Sequence, residues 1–490
     1  MSSTINISDA IALLGLSLIF LICRFVYNGI VNPLNKVPGP WYARWTTLGL
    51  KLSTLSGRRI HYVHALHQQY GPYVRLSPTE IAVNDAEGFK QVHSCTKPWD
   101  KSRWYEVMVQ QKKPVFFSMA ESGPHGIRRK MFARSFGKSY IRNHWEAKVA
   151  HMVNFAIDRF HDEAEGEGVA DVLKWLTFMA SDISAHLMFG ESFHTLETGV
   201  KSHFIEVLEK VLMGNVIGSE LPILRIIGKR LPIKAVQDVF NPYRLIWQYA
   251  QEAVKTMRVR VEKRNIFAEI MARVEKSEQL DDDDVTCEAL GLIIAGTDTT
   301  AITMTYFIYA VLSQPQIQKS LEAEASNLPE DYSDADIEKL PLINAAIQET
   351  LRLYGATNGM LPRMVPAEGA YMSGYYIPGG TTAITQSYSL HRDANVFPDP
   401  EKFILERWLP GTTGRYRITN TARSVYSPFG AGSRTCLGIH MAYMAMRYGA
   451  AAFLRKCPGA TLAPSATAEC MEQQNYFLTM PAGHKCEVVL

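Results

Sequence analysis

Ten residues near the C-terminus, Phe429-Gly-Ala-Gly432-Ser-Arg434-Thr-Cys436-Leu-Gly438, constrain this 490-residue chain more than any other stretch of it. The spacing F-x-x-G-x-R-x-C-x-G sets a cysteine in a tight loop behind an arginine. Glycines at 430, 432 and 438 let the backbone turn and approach a flat partner where a β-carbon would collide. Backbone N–H groups in such a loop, followed by a helix start, stabilise negative charge on sulfur. Cys436 is thus framed as a thiolate, and Arg434 is placed to meet an anion. The plainer reading, a buried structural cysteine, requires none of these partners.

A thiolate is a strong electron donor to iron and favours O–O cleavage, so a protein that uses one keeps it deprotonated, hydrogen-bonded and shielded. Cys436 therefore reads as the axial ligand of a heme, with Arg434 on a propionate and Phe429, Gly432 and Gly438 shaping the loop. On these residues the chain resembles the cytochrome P-450 family of heme-thiolate monooxygenases, from about Val37 to the C-terminus. The resemblance implies a mainly α fold with a minor β portion and heme b (iron protoporphyrin IX) as cofactor. It also implies use of O2 and of NADPH-derived electrons from an external reductase.

A second motif lies in a long apolar helical pattern from about Val285. There Ala295-Gly296-Thr297-Asp298-Thr299-Thr300 brings in four consecutive polar residues that packing does not require. Cleaving O2 takes two protons delivered while bulk water stays out. Asp298 reaching toward solvent and Thr299 holding oxygen or a water fit those roles, and Ala295 and Gly296 are expected to leave space for O2. A locally distorted helix would widen that groove. The alternative is threonine back-bonding to the helix carbonyls beside a helix-surface aspartate. The family carries the same motif, matched here at Ala295, Gly296, Asp298 and Thr299.

Glu349-Thr-Leu-Arg352 puts a carboxylate and a guanidinium on one helix face, by itself a common pair worth little. In the family a second arginine completes this pair into a structural triad, and the resemblance assigns that place to Arg407. The chain departs from the commoner pattern there, with Leu405 where proline usually stands. The resemblance further implies His125, Arg129 and Arg363 as propionate partners, His125 standing where many members have tryptophan.

Length alone suggests two or more domains, yet no Ser/Gly linker, composition shift or repeat divides the chain, so one large domain is expected. A net charge of +3, from 51 basic and 48 acidic side chains, gives no support to nucleic-acid binding. The seven cysteines form no C-x-x-C pair, which argues for a reducing compartment and against a disulfide framework or zinc site. Ala10–Cys23 is apolar or small and extends past Arg24, so residues 1–31 are expected to form one transmembrane anchor ahead of a catalytic domain at 32–490. Lys36, Arg44 and Lys51 follow the stretch and only Asp9 precedes it, which leaves the catalytic domain cytosolic. The resemblance makes the membrane that of the endoplasmic reticulum. The proline-rich stretch Asn32–Pro40 reads as a stiff exit hinge.

Tyr73–Asp85 reads as a strand pair, Met360–Leu390 as small strands with turns, and Thr461–Leu490 as another short sheet. Apolar spacing predicts helices at Gly126–Phe136, Trp145–His161, Trp175–Met188, His203–Met213, Tyr243–Val274, Val285–Leu312, Gln316–Ser326 and Ile337–Tyr354. Asp281–Asp284 and Asp162–Glu167 are read as solvated loops or helix N-terminal charges rather than metal sites.

Between Ser122 and Trp145, Arg128, Arg129, Lys130, Arg134, Lys138 and Arg142 meet no acidic residue, a basic face suited to steering an acidic electron donor. The resemblance identifies that donor as a flavin-containing, NADPH-dependent cytochrome reductase. Family topology places Phe116, Phe117, Met213, Ala295, Asn358, Met360 and Tyr476 around an apolar small-molecule substrate. Segments such as Val37-Pro-Gly-Pro-Trp-Tyr resemble the fungal microsomal branch active in secondary metabolism. Hydroxylation of an apolar natural product leads. Oxidative aryl or indole coupling, desaturation or ring formation would share every motif. A heme carrier or sensor, or a reductase-independent isomerase, would lack need of the proton relay.

Overall fold

In a computed structural model of the protein, residues 7–109, 111–234, 236–237, 247, 250–251, 254, 265–271 and 280–490 are described. The helices used below are α1 (Ile7–Val31), α2 (Ser122–Ala133), α3 (Lys138–Glu167), α4 (Val172–Phe189), α5 (His203–Glu220), α6 (Pro222–Arg230), α7 (Asp282–Leu312), α8 (Asp334–Ile337), α9 (Pro341–Tyr354) and α10 (Ile439–Lys456).

Helix α7 is the axis of the core, and its start follows from local chemistry. The Asp281 carboxylate accepts the Asp284 N–H at 2.8 Å, and Asp282, Asp283 and Asp284 fill the first turn, where the helix dipole favours negative charge. From Val285 onward most of its apolar side chains are buried, and the helix packs along α4, α9 and α10. Helix α4 starts on Asp171, which accepts the Leu173 N–H, and ends on Gly190 in the left-handed region. Gly137 separates α2 from α3, and Pro341 starts α9, so the single helix expected over Ile337–Tyr354 is instead two.

Strands β1 (Tyr73–Ser77), β2 (Glu80–Val83), β3 (Met360–Met364) and β4 (Thr382–Gln386) form one sheet in the order β1-β2-β4-β3. The β1/β2 and β3/β4 pairs are antiparallel and β2/β4 is parallel. The C-terminal stretch divides. β5 (Gln473–Asn475) and β6 (Thr479–Pro481) form a hairpin, while Thr461–Leu462 and Glu487–Val489 join Ala170–Asp171 in a three-stranded sheet. The mainly helical fold with a minor β portion is as expected.

Helix α1 ends where Asn32 and Pro33 open a short 3₁₀ turn, and it meets the body through Gly29 and Phe25 against the Trp45 ring. Asp162–Glu167 is neither loop nor helix start, because α3 continues through it to a left-handed Gly168. Most of the helix expected at Tyr243–Val274 lies outside the described residues, with Ile266–Met271 helical. The side chain of Met213, on α5, also lies outside them.

Candidate active site

The cysteine loop is held by its own backbone. The Cys436 N–H donates to the Phe429 carbonyl at 2.8 Å, and Thr435 Oγ1 donates to the Gly432 carbonyl at 2.9 Å. Gly430 and Gly432 adopt φ of 70° and 68°. A Cβ at Gly432 would fall 2.2 Å from the His93 carbonyl oxygen, so only glycine fits. Gly438 caps α10, and its N–H bond to the sulfur works with Arg129 to favour thiolate, against the burial that pushes the thiol up. Cys436 is nonetheless exposed. Dense surroundings and an exposed sulfur are compatible when the sulfur faces space inside the molecule.

Ala295 is exposed in the middle of α7 while Ile293 and Thr297 beside it are buried, so this helix too faces an interior opening. Thr299 Oγ1 donates to the Ala295 carbonyl at 2.6 Å, leaving its lone pairs to accept. The helix is unbroken from Asp282 to Leu312, without the expected distortion. Gly296 does not provide the opening. A Cβ there would sit 2.5 Å from Ser184 Oγ of α4, so its small size serves helix contact. Asp298 is half-buried on this helix.

Five basic groups gather within mutual reach: Lys101, His125, Arg129, Arg363 and Arg434. Burial, then Arg434, Lys101, Arg129 and Arg363, push His125 down to about 3, so its imidazole is neutral. Burial and the three arginines drive Lys101 well below the ordinary lysine range. Arg434 donates to the Met119 and Ala120 carbonyls, both at 2.7 Å, but its buried Nε has no partner. A crowd of repelling cations with an orphaned guanidinium nitrogen fits the two carboxylates of a heme. Lys101 escaped the sequence reading, having no spacing pattern that marks it. It pairs across a bridge with Arg363, donates Nζ to the Phe117 carbonyl, and lies over the Tyr105 and Phe117 rings at 4.1 and 4.3 Å.

Glu349, Arg352 and Arg407 meet in the core. Arg352 bonds both Glu349 oxygens at 2.8 Å, Arg407 Nε reaches Oε1 at 3.1 Å, and Trp408 Nε1 and the Ile404 N–H complete the carboxylate's partners. Leu405, in place of the usual proline, sits in a 3₁₀ turn that still delivers Arg407.

The pocket candidates separate. Phe117 packs on Tyr105 and Phe477, and Trp104 also meets Phe477. Phe116 turns toward Phe132 and the core, because its N–H is tied to Glu288. Asn358 is buried, donating to Gln473 Oε1 and accepting from Thr479 Oγ1, which fastens the β5–β6 hairpin. Tyr476 lies over Gly57, so Phe477 is the hairpin residue that joins the aromatic group. Met360 is buried between β1, β2 and β4 residues. The basic run is also largely paired. Arg128 binds Asp284 and Glu288, Lys138 binds Glu338, and Arg142 binds Asp334 and Glu338, while Arg129 joins the cation group. Lys130 and Arg134 remain exposed.

A family model described as cytochrome P-450 matches residues 37–488. The cytochrome P-450 monooxygenase tazI of Aspergillus terreus is 37% identical over 477 residues, covering 96% of this chain and 96% of that protein. The cytochrome P-450 monooxygenase aflV of Aspergillus parasiticus is 34% identical, covering 97% and 95%. For stcB of Emericella nidulans, also named a cytochrome P-450 monooxygenase, the identity is 36%, covering 94% and 89%. The chain belongs to the cytochrome P-450 family, oxidoreductases that use a heme b iron, O2 and electrons from a redox partner.

Proposed function

We propose that this protein is a membrane-anchored heme-thiolate monooxygenase that hydroxylates an apolar natural-product intermediate in fungal secondary metabolism. The observation that carries the reading is the framed, exposed Cys436 together with the repelling basic group. In this reading Cys436 ligates the iron, and Arg129, Arg363, Arg434, His125 and Lys101 hold the propionates. When bound, the heme supplies activation of O2 and oxidation of the substrate. Thr299, its own proton committed to the Ala295 carbonyl, accepts a hydrogen bond from a water and holds that water beside Ala295. Asp298 renews the proton from the solvent side, and Phe117, Phe477, Tyr105 and Trp104 supply an apolar wall.

Residues 1–31 form a single-pass anchor in the endoplasmic reticulum membrane, with a cytosolic catalytic domain at 32–490. Exposed Leu16, Ile19, Phe20, Phe25 and Ile30 on α1 support this. The apolar face of α6, with Ile223 73% exposed and Ile226 and Ile227 beside it, lies among Arg225, Lys229 and Arg230 and suits a membrane surface. Helix α7 is long and apolar enough to span a bilayer but is the buried core helix. Deleting 1–31 should leave a heme-loaded domain that sediments weakly with microsomes, and undiminished sedimentation would count against the anchor. Electrons come from a flavin-containing, NADPH-dependent reductase, for which Lys130 and Arg134 are the open basic residues.

The test of the chemistry is Thr299→Ala. The variant should bind heme and accept electrons, yet release several-fold more peroxide per NADPH and form less product, while Asp298→Asn mainly slows turnover. Labelled oxygen from ¹⁸O₂ in the product supports hydroxylation, whereas a product short of two hydrogens and without label supports coupling or desaturation. Unchanged yield and coupling in both variants would overturn the proton roles.

A further inference from the structure

Helix α7 carries one buried carboxylate that this chemistry leaves unused. Glu288 is 1% exposed. Its Oε1 and Oε2 accept the Phe116 N–H at 3.0 and 3.3 Å, and Oε1 also accepts from Arg128 Nη1 at 3.2 Å. Arg128 Nη2 bonds Asp284 Oδ1 at 3.1 Å. Lys113 reaches Asp284 at 3.2 Å and also Asp281, and Lys112 reaches Asp283. Gln111 and Val115 stand 3.9 Å from the place of a Cβ on Gly291, resting on the helix there. Segment 111–118 is thus seated on α7 along a seam of alternating charge that ends on a buried carboxylate.

The segment matters for what it carries. The Phe117 ring packs on Tyr105 and Phe477, its carbonyl accepts Lys101 Nζ, and the Phe116 ring lies 6.5 Å from that of His125. On α7, Glu288, Leu292, Ala295 and Thr299 fall at i, i+4, i+7 and i+11, one stripe. Glu288 stands about 10 Å along the helix from Ala295. A seam released at Glu288 would therefore move a wall of the proposed pocket.

The groups facing Glu288 are Arg128 from α2, the Phe116 N–H from the segment with Lys113 next along it, and Asp284 and Cys287 from α7 itself. Burial raises Glu288 to about 7, Arg128 and the Phe116 N–H pull it down, and Asp284 adds to the rise. Burial pushes the Cys287 thiol up to about 11, so it stays neutral near pH 7. A charged carboxylate makes hydrogen bonds about twice as strong as a neutral one, so the seam weakens when Glu288 takes up a proton.

We propose that Glu288 is a positioning residue that latches segment 111–118 onto α7, firmly when charged and loosely when protonated, and so governs how readily apolar molecules enter the cavity beside Ala295. The entry role rests on the pocket proposed above, whereas the latch does not. The test uses full-length heme-loaded enzyme, hydrogen–deuterium exchange of peptides covering 111–118, and stopped-flow binding of 4-phenylimidazole. After correction for intrinsic exchange, protection of the segment should be several-fold lower at pH 6 than at pH 8, with faster probe binding. Glu288→Gln should show the loose state at both pH values. Should that variant load heme poorly, Arg128→Gln removes the charged partner and should loosen the segment already at pH 7. Protection unchanged by pH and by substitution would overturn the latch, and lost protection without faster binding would overturn the entry role. Failure of the heme assignment would appear separately, as protein without a Soret band on which exchange is still readable.

Discussion

Two groups of charge drawn out of the solvent differ in whether they complete themselves. Around Glu349 every strong partner is supplied by the chain: two arginines, an indole N–H and a backbone N–H on the carboxylate, with the remaining Arg352 donors on the His391, Pro400 and Lys402 carbonyls. Around Lys101, His125, Arg129, Arg363 and Arg434 basic groups face basic groups, burial and then the arginines depress the lysine and the histidine, and Arg434 Nε is left over. Buried charge that holds a fold is neutralised within the fold, while buried charge of one sign marks the place of a ligand of the other.

Removing charge should therefore have opposite effects in the two groups. Glu349→Gln keeps the shape but strands two buried arginines, a loss of roughly 3–5 kcal/mol with or without heme. Thermal unfolding should show it, together with a collapse in the yield of heme-loaded protein. A loss below about 1 kcal/mol would mean that the carbonyl partners of the arginines suffice and that the contrast is overdrawn.

Arg363→Met is the counterpart with a smaller effect. Arg363 opposes Lys101, His93 and His125, its side chain also meets the Tyr105 hydroxyl, and its hydrogen bond to a carbonyl goes to neighbouring Pro362 at 3.0 Å. Heme-free protein should gain up to about 1 kcal/mol from relieved repulsion, in line with a shift of one pKa unit on a neighbour. Heme should dissociate on the order of tenfold faster, one such charge-assisted bond being lost. A variant destabilised in the heme-free state would place Arg363 with the structural arginines.

How far the sequence reaches differs in the same way. The cysteine loop and the Glu349–Arg352 pair are local patterns, in which each residue's use follows from neighbours a few positions away. The basic run at 128–142 reads as free charge because its acids, Asp284, Glu288, Asp334 and Glu338, stand far along the chain. Gly296 reads as room for oxygen because its true neighbour, Ser184, belongs to another helix. At the β5–β6 turn, whether Tyr476 or Phe477 meets the aromatic group is decided by a one-residue change of direction, which composition does not encode. The charge seam of segment 111–118 has its two halves more than a hundred residues apart, so Asp281–Asp284 show only helix-start chemistry in sequence.

The finest test of the comparison is a pH slope. Burial holds both His125 and His391 down to about 3, so each stays neutral when folded and takes up a proton near pH 6.5 when unfolded. The contribution of these two histidines to stability is thus constant above about pH 6.5 and falls as the pH drops from there toward 3, by less than about 1.4 kcal/mol per pH unit for each group. The causes differ after burial itself. His125 is opposed by the basic group, which heme propionates would offset, whereas His391 is opposed by Arg352 and Arg392, and its ring is fixed between the Arg352 carbonyl and the Ser427 N–H. Heme loading should therefore shrink the part of the acid slope removed by His125→Gln and leave the contribution of His391 unchanged. The measurement is denaturant unfolding between pH 4 and 7 on heme-free and heme-loaded protein, with and without the substitution. An equal His125 contribution in both states would show that burial alone sets this histidine and that the basic group is not answered by the propionates.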